Sequence, residues 1–164
     1  MRSIFAFALV ASLCAAPALA EDGTYDVKQL TPETALKAAK AAMDACRAKG
    51  WQAAAVVVDR GGNVQAAIRD RFAGPHTVPV ATGKAWSAVS FRTNTTDLVA
   101  ITGPGMPQAG LREVPGATVL GGGLKIEVAG SIVAGIGVSG APGGDADDIC
   151  AQAGLKAIED VLLF

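Results

Sequence analysis

The chain is poor in the side chains that metal centres and catalytic sites most often use. Its 164 residues include one histidine, three cysteines and one tyrosine, and aromatic residues make up only 5% of the total. The cysteines have no CxxC spacing, which argues against a zinc site or a thiol redox site. The formal net charge is −1, so no excess of positive charge points to nucleic acid or to an anionic membrane as a partner.

The N-terminal residues have the pattern of a secretory signal peptide. Arg2 precedes an apolar segment, residues 4–13, and residues 18–20 read Ala-Leu-Ala, a typical cleavage site. The apolar segment is too short to anchor the protein in a membrane. We therefore expect a signal peptide over residues 1–20, cleavage after Ala20, a single domain over residues 21–164, and a periplasmic or secreted product.

Helices are predicted near both ends of this domain and in its middle. Thr31 can cap the first helix, Pro32 suits its first position, and Gly50 is expected to end it. Further helices are predicted over residues 80–91, 95–101 and 145–162. The helical period puts one apolar stripe of the first helix toward the core, formed by Leu36, Ala39, Met43 and Cys46.

Five strands are predicted between these helices, from short apolar runs bounded by turn residues. They cover residues 53–58, 63–68, 117–120, 124–128 and 131–138, with glycine-containing turns at residues 59–62, 121–123 and 129–130. This order of elements predicts an α+β fold with an antiparallel sheet.

The glycine-rich segment near the C-terminus spells a dinucleotide-binding fingerprint, G-x-G-x-x-G, with Gly135, Gly137 and Gly140. That fingerprint requires a following helix and a second strand. Here the first two glycines lie inside an apolar run, Pro142 and two more glycines intervene, and only a helix fits before Phe164. A nucleotide site is therefore not expected.

The same segment, Gly-Ile-Gly-Val-Ser-Gly-Ala-Pro-Gly-Gly at residues 135–144, resembles the end of proteins of the GlcG/HbpS family, also known as haem-binding or haem-degrading domain proteins. Further matching segments occur in order along the chain, although Trp86 and Lys125 depart from the usual residues. The resemblance implies a profilin-like arrangement with the first and last helices on one face of the sheet. It also implies a haem ligand and homo-oligomers from dimer to octamer. The other matching segments are residues 57–62, 69–70, 75–77, 84–85, 120–124 and 148–155.

His76 is the first candidate for binding haem, because it is the one histidine and stands in a polar Pro-His-Thr turn. Thr77 and Lys84 are the next candidates. Arg69, Arg71, Lys84 and Arg92 are close in sequence and could pair with carboxylates such as haem propionates, and Lys84 is favoured among them. The alternative for His76 is a solvated loop histidine with no ligand, and Arg71 and Arg92 are interpreted as ordinary surface charge.

Binding is favoured over catalysis. A second histidine and a strong nucleophile motif are absent from the sequence, and Ser139 does not lie in a G-x-S-x-G elbow because Ala141 replaces the second glycine. The first hypothesis is thus an exported, oligomeric haem- or small-cofactor-binding protein. The alternatives are a protein or enzyme acting on small carboxylates, since relatives accompany glycolate and corrinoid metabolism, and a structural or sensory partner of another exported protein.

Cys46 and Cys150 are the two cysteines that remain after the expected cleavage, and we expect them to form a disulfide. If the first and last strands are antiparallel neighbours, the end of the first helix meets the start of the last helix on one face of the sheet. The alternative is two separately buried thiols.

Overall fold

The computed structural model describes residues 23–162, so the expected signal peptide and its cleavage site lie outside the described residues. These residues form four α-helices and four β-strands in the order α-β-β-α-α-β-β-α, with 3-10 turns at Ala109–Glu113 and Glu159–Val161. The helices are α1 (Pro32–Ala48), α2 (Thr77–Ser90), α3 (Thr95–Ile101) and α4 (Gly144–Lys156), and the strands are β1 (Ala54–Asp59), β2 (Val64–Arg69), β3 (Gly123–Val128) and β4 (Ser131–Ser139).

All strand pairs in the sheet are antiparallel, and the order is β2-β1-β4-β3. The first and last strands are therefore neighbours, with Ala54 opposite Ser139 and Asp59 opposite Ala134. Because both faces of β1 are covered by helices, its first five residues are buried. This explains why β1 is a continuous apolar run instead of an alternating one.

Helices α1 and α4 pack together on one face of the sheet, as expected. The core on that face includes Ala55, Val57 and Ile136 from the central strands. The other face of β1, with Val56 and Val58, packs against α2. The result is an α+β fold of three layers.

The glycines of the G-x-G sequence allow α2 to pack closely on β4. Gly135 and Gly137 lie within β4 directly beneath α2, and a Cβ atom at Gly135 would come within 2.8 Å of the Ala85 carbonyl oxygen. A Cβ at Gly137 would overlap the Ala81 carbonyl. Gly140 has a φ of +129° at the turn that follows the strand, a conformation that L side chains rarely adopt.

The expected disulfide is present. Cys46 near the end of α1 and Cys150 in α4 are bonded, with a Cα–Cα distance of 5.4 Å, and both residues are fully buried. The bond joins α1 to α4 through two cysteines that are 104 positions apart in the chain.

Two predictions about secondary structure were wrong. Residues 117–120 form no strand, so the described sheet has four strands and not five. The Thr118 amide donates to the Ser87 hydroxyl of α2 at 2.7 Å, so a side chain takes the place of a neighbouring strand. The last helix ends at Lys156 and only a 3-10 turn follows, short of the predicted 162.

The predicted composition of the buried stripe of α1 was also partly wrong. Leu36 is 50% exposed, and the stripe instead runs through four small residues together with Met43 and Cys46. The small residues are Ala35, Ala38, Ala39 and Ala42. Alanine lets α4 approach closely, and Gly154 of α4 lies where a Cβ would come within 2.7 Å of the Ala38 carbonyl oxygen. Within residues 23–162, no helix has the length and apolar character needed to cross a membrane.

Candidate functional site

A cavity of about 570 Å³ opens at the end of the sheet where β1 begins and β4 ends. Its wall is made by the segment before α2, the first turns of α2, and the glycine turn that leads from β4 into α4. The described residues that line it are Gln52, Phe72, Gly74, His76, Thr77, Val80, Lys84, Leu120, Ser139, Gly140, Ala141, Gly143, Gly144 and Asp147. Three of the four residues predicted for the site are therefore brought together.

His76 is the residue before the first turn of α2, and its side chain is exposed at the cavity. The imidazole lies against Gly74, where a Cβ atom would come within 2.7 Å of the ring carbon Cε1 and 2.9 Å of Nδ1. Among residues 23–162, neither ring nitrogen has a hydrogen-bond partner. The ring thus lies close to the backbone at Gly74, and its nitrogens remain available to a ligand.

Thr77 is buried directly beneath this histidine. Its hydroxyl donates to the Gly74 carbonyl at 2.7 Å, and its backbone N–H donates to the same oxygen at 3.0 Å. These two bonds fix the turn that carries His76. Thr77 lines the cavity, but its hydroxyl proton is already used within the protein.

Lys84 reaches the floor of the cavity from the second turn of α2. Its Nζ donates to Asp147 Oδ2 at 2.7 Å and to the Val138 carbonyl at 2.9 Å. Asp147 Oδ1 accepts the Ala141 amide at 3.0 Å. The lysine and the aspartate are both almost fully buried, so this is a charge pair held inside the protein and not a free cation.

Asp147 has a perturbed titration. Burial raises the pKa of its carboxyl above the ordinary value, although the hydrogen bond and charge of Lys84 and the Ala141 amide act in the opposite direction. A buried, paired and perturbed carboxyl that lines a cavity is a common property of functional sites.

Arg69 is the predicted site residue that the structure does not bring to the cavity. Its side chain is exposed and its guanidinium donates to the Ala73 carbonyl. Arg71 is 71% exposed and lies 4.0 Å from Asp70, in agreement with the interpretation of Arg71 as surface charge. The basic residues near His76 in sequence therefore do not form a cluster around it.

Sequence reasoning missed Asp147 and Phe72 as site residues. Asp147 stands four residues after Gly143, in the first turn of α4, where an acidic residue is also expected merely to suit the helix dipole. Phe72 is 78% exposed at the cavity, and an exposed aromatic side chain has no sequence signal that separates it from a core residue.

The fold and the cavity define a class: an α+β domain with a helix-covered antiparallel sheet and a ligand-sized cavity at one end of its two central strands. The family model "Haem degrading protein HbpS-like" matches residues 30–156. The chain belongs to this family, as the resemblance in its sequence implied.

Solved structures agree with this membership. A double mutant of HbpS from Streptomyces reticuli is 39% identical, with a TM-score of 0.79 over 88% of this chain and 97% of that one. Another HbpS structure is 37% identical, with a TM-score of 0.80 over 86% and 98%. A haem complex of PduOC is 26% identical, with a TM-score of 0.74 over 79% and 95%. Among curated proteins, no match to this sequence was found.

Proposed function

We propose that the chain is an exported, homo-oligomeric haem-binding protein, and that haem occupies the cavity beside His76 with this histidine as the iron ligand. One observation carries the proposal: the one histidine of the sequence stands exposed at the cavity with both ring nitrogens free of partners among residues 23–162. Membership of the HbpS-like family and similarity to PduOC, whose structure contains haem, support it.

The residues of the cavity suit a large, flat and mostly apolar ligand. Its volume of about 570 Å³ falls within the usual range of small-molecule sites. Phe72 and Leu120 are 78% and 53% exposed, and both line the opening. A macrocycle would cover these side chains and remove their apolar surface from water. Bound haem would supply an iron centre that can take a protein ligand and change its oxidation state.

The two propionates of haem need polar partners, and Lys84 is not free to be one because Asp147 and the Val138 carbonyl already hold its ammonium. The backbone at Gly143 and Gly144 is the better candidate. Gly143 caps α4 and Gly144 begins it, both line the cavity and lack side chains, and a helix N-terminus favours an anionic group.

Export to an oxidising compartment is the location that we propose. The N-terminal pattern over residues 1–20 supports it, and so does the Cys46–Cys150 disulfide, because such bonds persist outside the reducing cytosol.

Self-association is proposed because large apolar side chains are exposed on several elements. Leu36 lies on α1, Val64 on β2 and Ile149 on α4, in addition to Phe72 and Leu120. Sedimentation of the purified protein should show a particle several times the monomer mass. A monomer at micromolar concentration would contradict the assembly.

Haem binding is tested by the absorption spectrum of the purified protein with added haemin. Wild type should give a shifted Soret band that saturates at one haem per chain. His76→Ala should lose or shift this band while the fold is retained. Arg71→Ala, which removes an exposed side chain outside the cavity, is the control and should behave as wild type.

Gly74→Ala should also disturb the Soret band, because its Cβ would displace the imidazole of His76. An unchanged spectrum and affinity in His76→Ala would exclude His76 as the ligand.

A small-carboxylate ligand is the second candidate, favoured by the buried Lys84–Asp147 pair and by the raised pKa of Asp147. Strongly perturbed titrating groups in a cleft are what a site for a small carboxylate is expected to show. Titration of the haem-free protein with glycolate, followed by NMR, distinguishes a small-carboxylate ligand from haem. Shifts confined to the cavity in the absence of haemin binding would favour the carboxylate.

A further inference from the structure

A second cavity, of about 440 Å³, lies at the opposite end of the sheet from the first. It is formed where β1 ends, where α2 ends and where the β3–β4 hairpin turns, whereas the first cavity lies where β1 begins and β4 ends. The described residues that line it are Arg60, Val89, Ser90, Arg92, Glu127, Gly130, Ser131 and Ile132.

Within the part of the chain that the structure describes, both arginines of this cavity lack a partner. The described part of the chain contains six arginines, and four of them are engaged: Arg47 and Arg71 with Asp70, Arg69 with the Ala73 carbonyl, and Arg112 with the Thr102 carbonyl. In residues 23–162 the guanidinium groups of Arg60 and Arg92 make no hydrogen bond or ion pair. The two arginines that the fold leaves unpaired thus line the same cavity.

Arg92 has a backbone conformation that disfavours a side chain. Its φ is 54°, and it follows the last residues of α2 in a Schellman motif, in which the Thr93 amide bonds to the Ala88 carbonyl and the Arg92 amide to the Val89 carbonyl. Glycine is the usual residue at this position. An arginine at this position bears a backbone strain that glycine would avoid, and this motivates the hypothesis that its side chain has a role.

The end of α1 provides a direct comparison within the same chain. There the corresponding position is Gly50, with a φ of 79°, and the Trp51 amide bonds to the Cys46 carbonyl in the same way. The sequence therefore has the usual glycine at one helix end and an arginine at the other. The arginine is the one beside the cavity.

The remaining polar groups are compatible with an anion between the two arginines. Ser90 and Ser131 contribute hydroxyl groups that can donate hydrogen bonds. Glu127 is the acidic residue of the lining, and Lys125 Nζ holds its carboxylate at 2.7 Å. The lysine offsets the negative charge of Glu127. The two guanidinium groups therefore make the charge of the cavity lining positive.

We propose that this cavity is a binding site for a small oxyanion, a phosphate group or a dicarboxylate, recognised by the guanidinium groups of Arg60 and Arg92. Guanidinium groups bind both kinds of ligand through paired N–H donors. The site is separate from the proposed haem cavity and requires neither haem nor His76.

The test is titration of the purified protein with inorganic phosphate and, separately, with succinate at low ionic strength, followed by NMR of the backbone amides. Shifts should be centred on residues 90–92 and 130–132. Arg60→Gln and Arg92→Gln should each weaken binding by about tenfold, the usual effect of losing a hydrogen bond to a charged group. Arg71→Gln, which removes an exposed guanidinium elsewhere, should bind as wild type. Saturable shifts with phosphate alone would identify a phosphate ligand, and shifts with succinate alone a dicarboxylate.

Arg92→Gly separates binding from folding. Glycine suits the φ of this position, so the variant should be at least as resistant to urea as wild type and still lose affinity for the anion. The proposal is overturned if wild type binds neither anion, or if the Arg60→Gln/Arg92→Gln double variant binds them with unchanged affinity. Haemin binding should be the same in all these variants, so failure of this site and failure of the haem proposal are distinguishable.

Discussion

The Lys84 ammonium and the Asp147 carboxylate form a buried ion pair 2.7 Å long that ties α2 to α4 across the end of β4. Their side chains are only 3% and 6% exposed. The two helices lie on opposite faces of the sheet, so few other contacts can join them. The pair also forms the floor of the cavity beside His76, and it therefore couples the shape of the candidate site to the packing of both layers.

Removal of one partner of this pair should destabilise the protein strongly. Lys84→Met leaves the Asp147 carboxylate buried without its cation, for which the typical cost is about 3–5 kcal/mol of unfolding free energy. Urea denaturation measures it. Lys37→Met is the matched control, because Lys37 pairs with Asp160 at 3.4 Å on an exposed surface, and its loss should cost less than about 1 kcal/mol. The double variant Lys84→Met/Asp147→Leu should recover much of the stability. Equal effects of Lys84→Met and Lys37→Met would contradict a tightly held buried pair.

The pH dependence of stability should depend on Asp70. The pKa of this carboxyl lies below its ordinary 3.8, mainly because the Arg47 side chain and the Arg71 amide donate hydrogen bonds to it. A lowered pKa in the folded state means that the unfolded chain binds the proton more readily. The stability from this carboxylate is therefore fully present above the unfolded pKa and is lost as the pH falls through the folded pKa.

Asp70→Asn removes this dependence. Thermal unfolding measured from neutral pH into the acid range should show a smaller loss of Tm below about pH 4 in the variant than in wild type. Asp160→Asn, in an exposed pair, is the control and should follow wild type. If Asp70→Asn and wild type lose Tm in parallel, the interaction with Arg47 does not contribute to acid sensitivity.

Much of the fold follows from local patterns in the sequence. The Thr31 cap is confirmed, since its hydroxyl accepts the Thr34 amide at 3.3 Å, and the apolar runs of β1 and β4 are strands within one residue of their predicted ends. Residues 117–120 have a similar apolar character. They form no strand because the Thr118 amide donates to the Ser87 hydroxyl instead of to a neighbouring strand. Ser87 is 31 positions away, so the local sequence around residue 118 does not predict this contact.

The candidate site likewise contains residues that could be predicted from the local sequence and one that could not. His76 and Lys84 could be selected from the sequence because each is unusual in its surroundings. The partner of Lys84 could not, because Asp147 is 63 positions away and three aspartates occur in residues 145–148. Only the pairing of β1 with β4 and the crossing of α2 over β4 determine which aspartate faces the lysine.

Glycine at position 137 should be required for the packing of α2 on the sheet. A Cβ there would overlap the Ala81 carbonyl and lie 2.8 Å from the Ala85 nitrogen, both in the backbone of α2. Gly137→Ala should therefore cost about 1–3 kcal/mol, as overpacking of a core usually does. Gly110→Ala is the control, because no atom lies within 4 Å of its added Cβ. Equal unfolding midpoints in urea for the two variants would show that α2 moves away from β4 without cost.

The Cys46–Cys150 disulfide should make a large contribution to stability. It joins residues 104 positions apart, and a loop of that size corresponds to as much as about 4–5 kcal/mol from the restricted entropy of the unfolded chain. Urea unfolding of wild type with and without reductant measures the contribution. Cys46→Ala/Cys150→Ala should unfold at a midpoint close to that of the reduced wild type, and should not respond to reductant.

Thiol titration of protein that begins at Glu21 decides whether the bond forms. Processed protein, denatured without reductant, should show no free thiol, because the third cysteine, Cys14, lies within the expected signal peptide. After reduction, two thiols per chain should react. Two free thiols before reduction would contradict the disulfide, and the burial of both residues in the contact between α1 and α4 would then be ordinary packing of small apolar side chains.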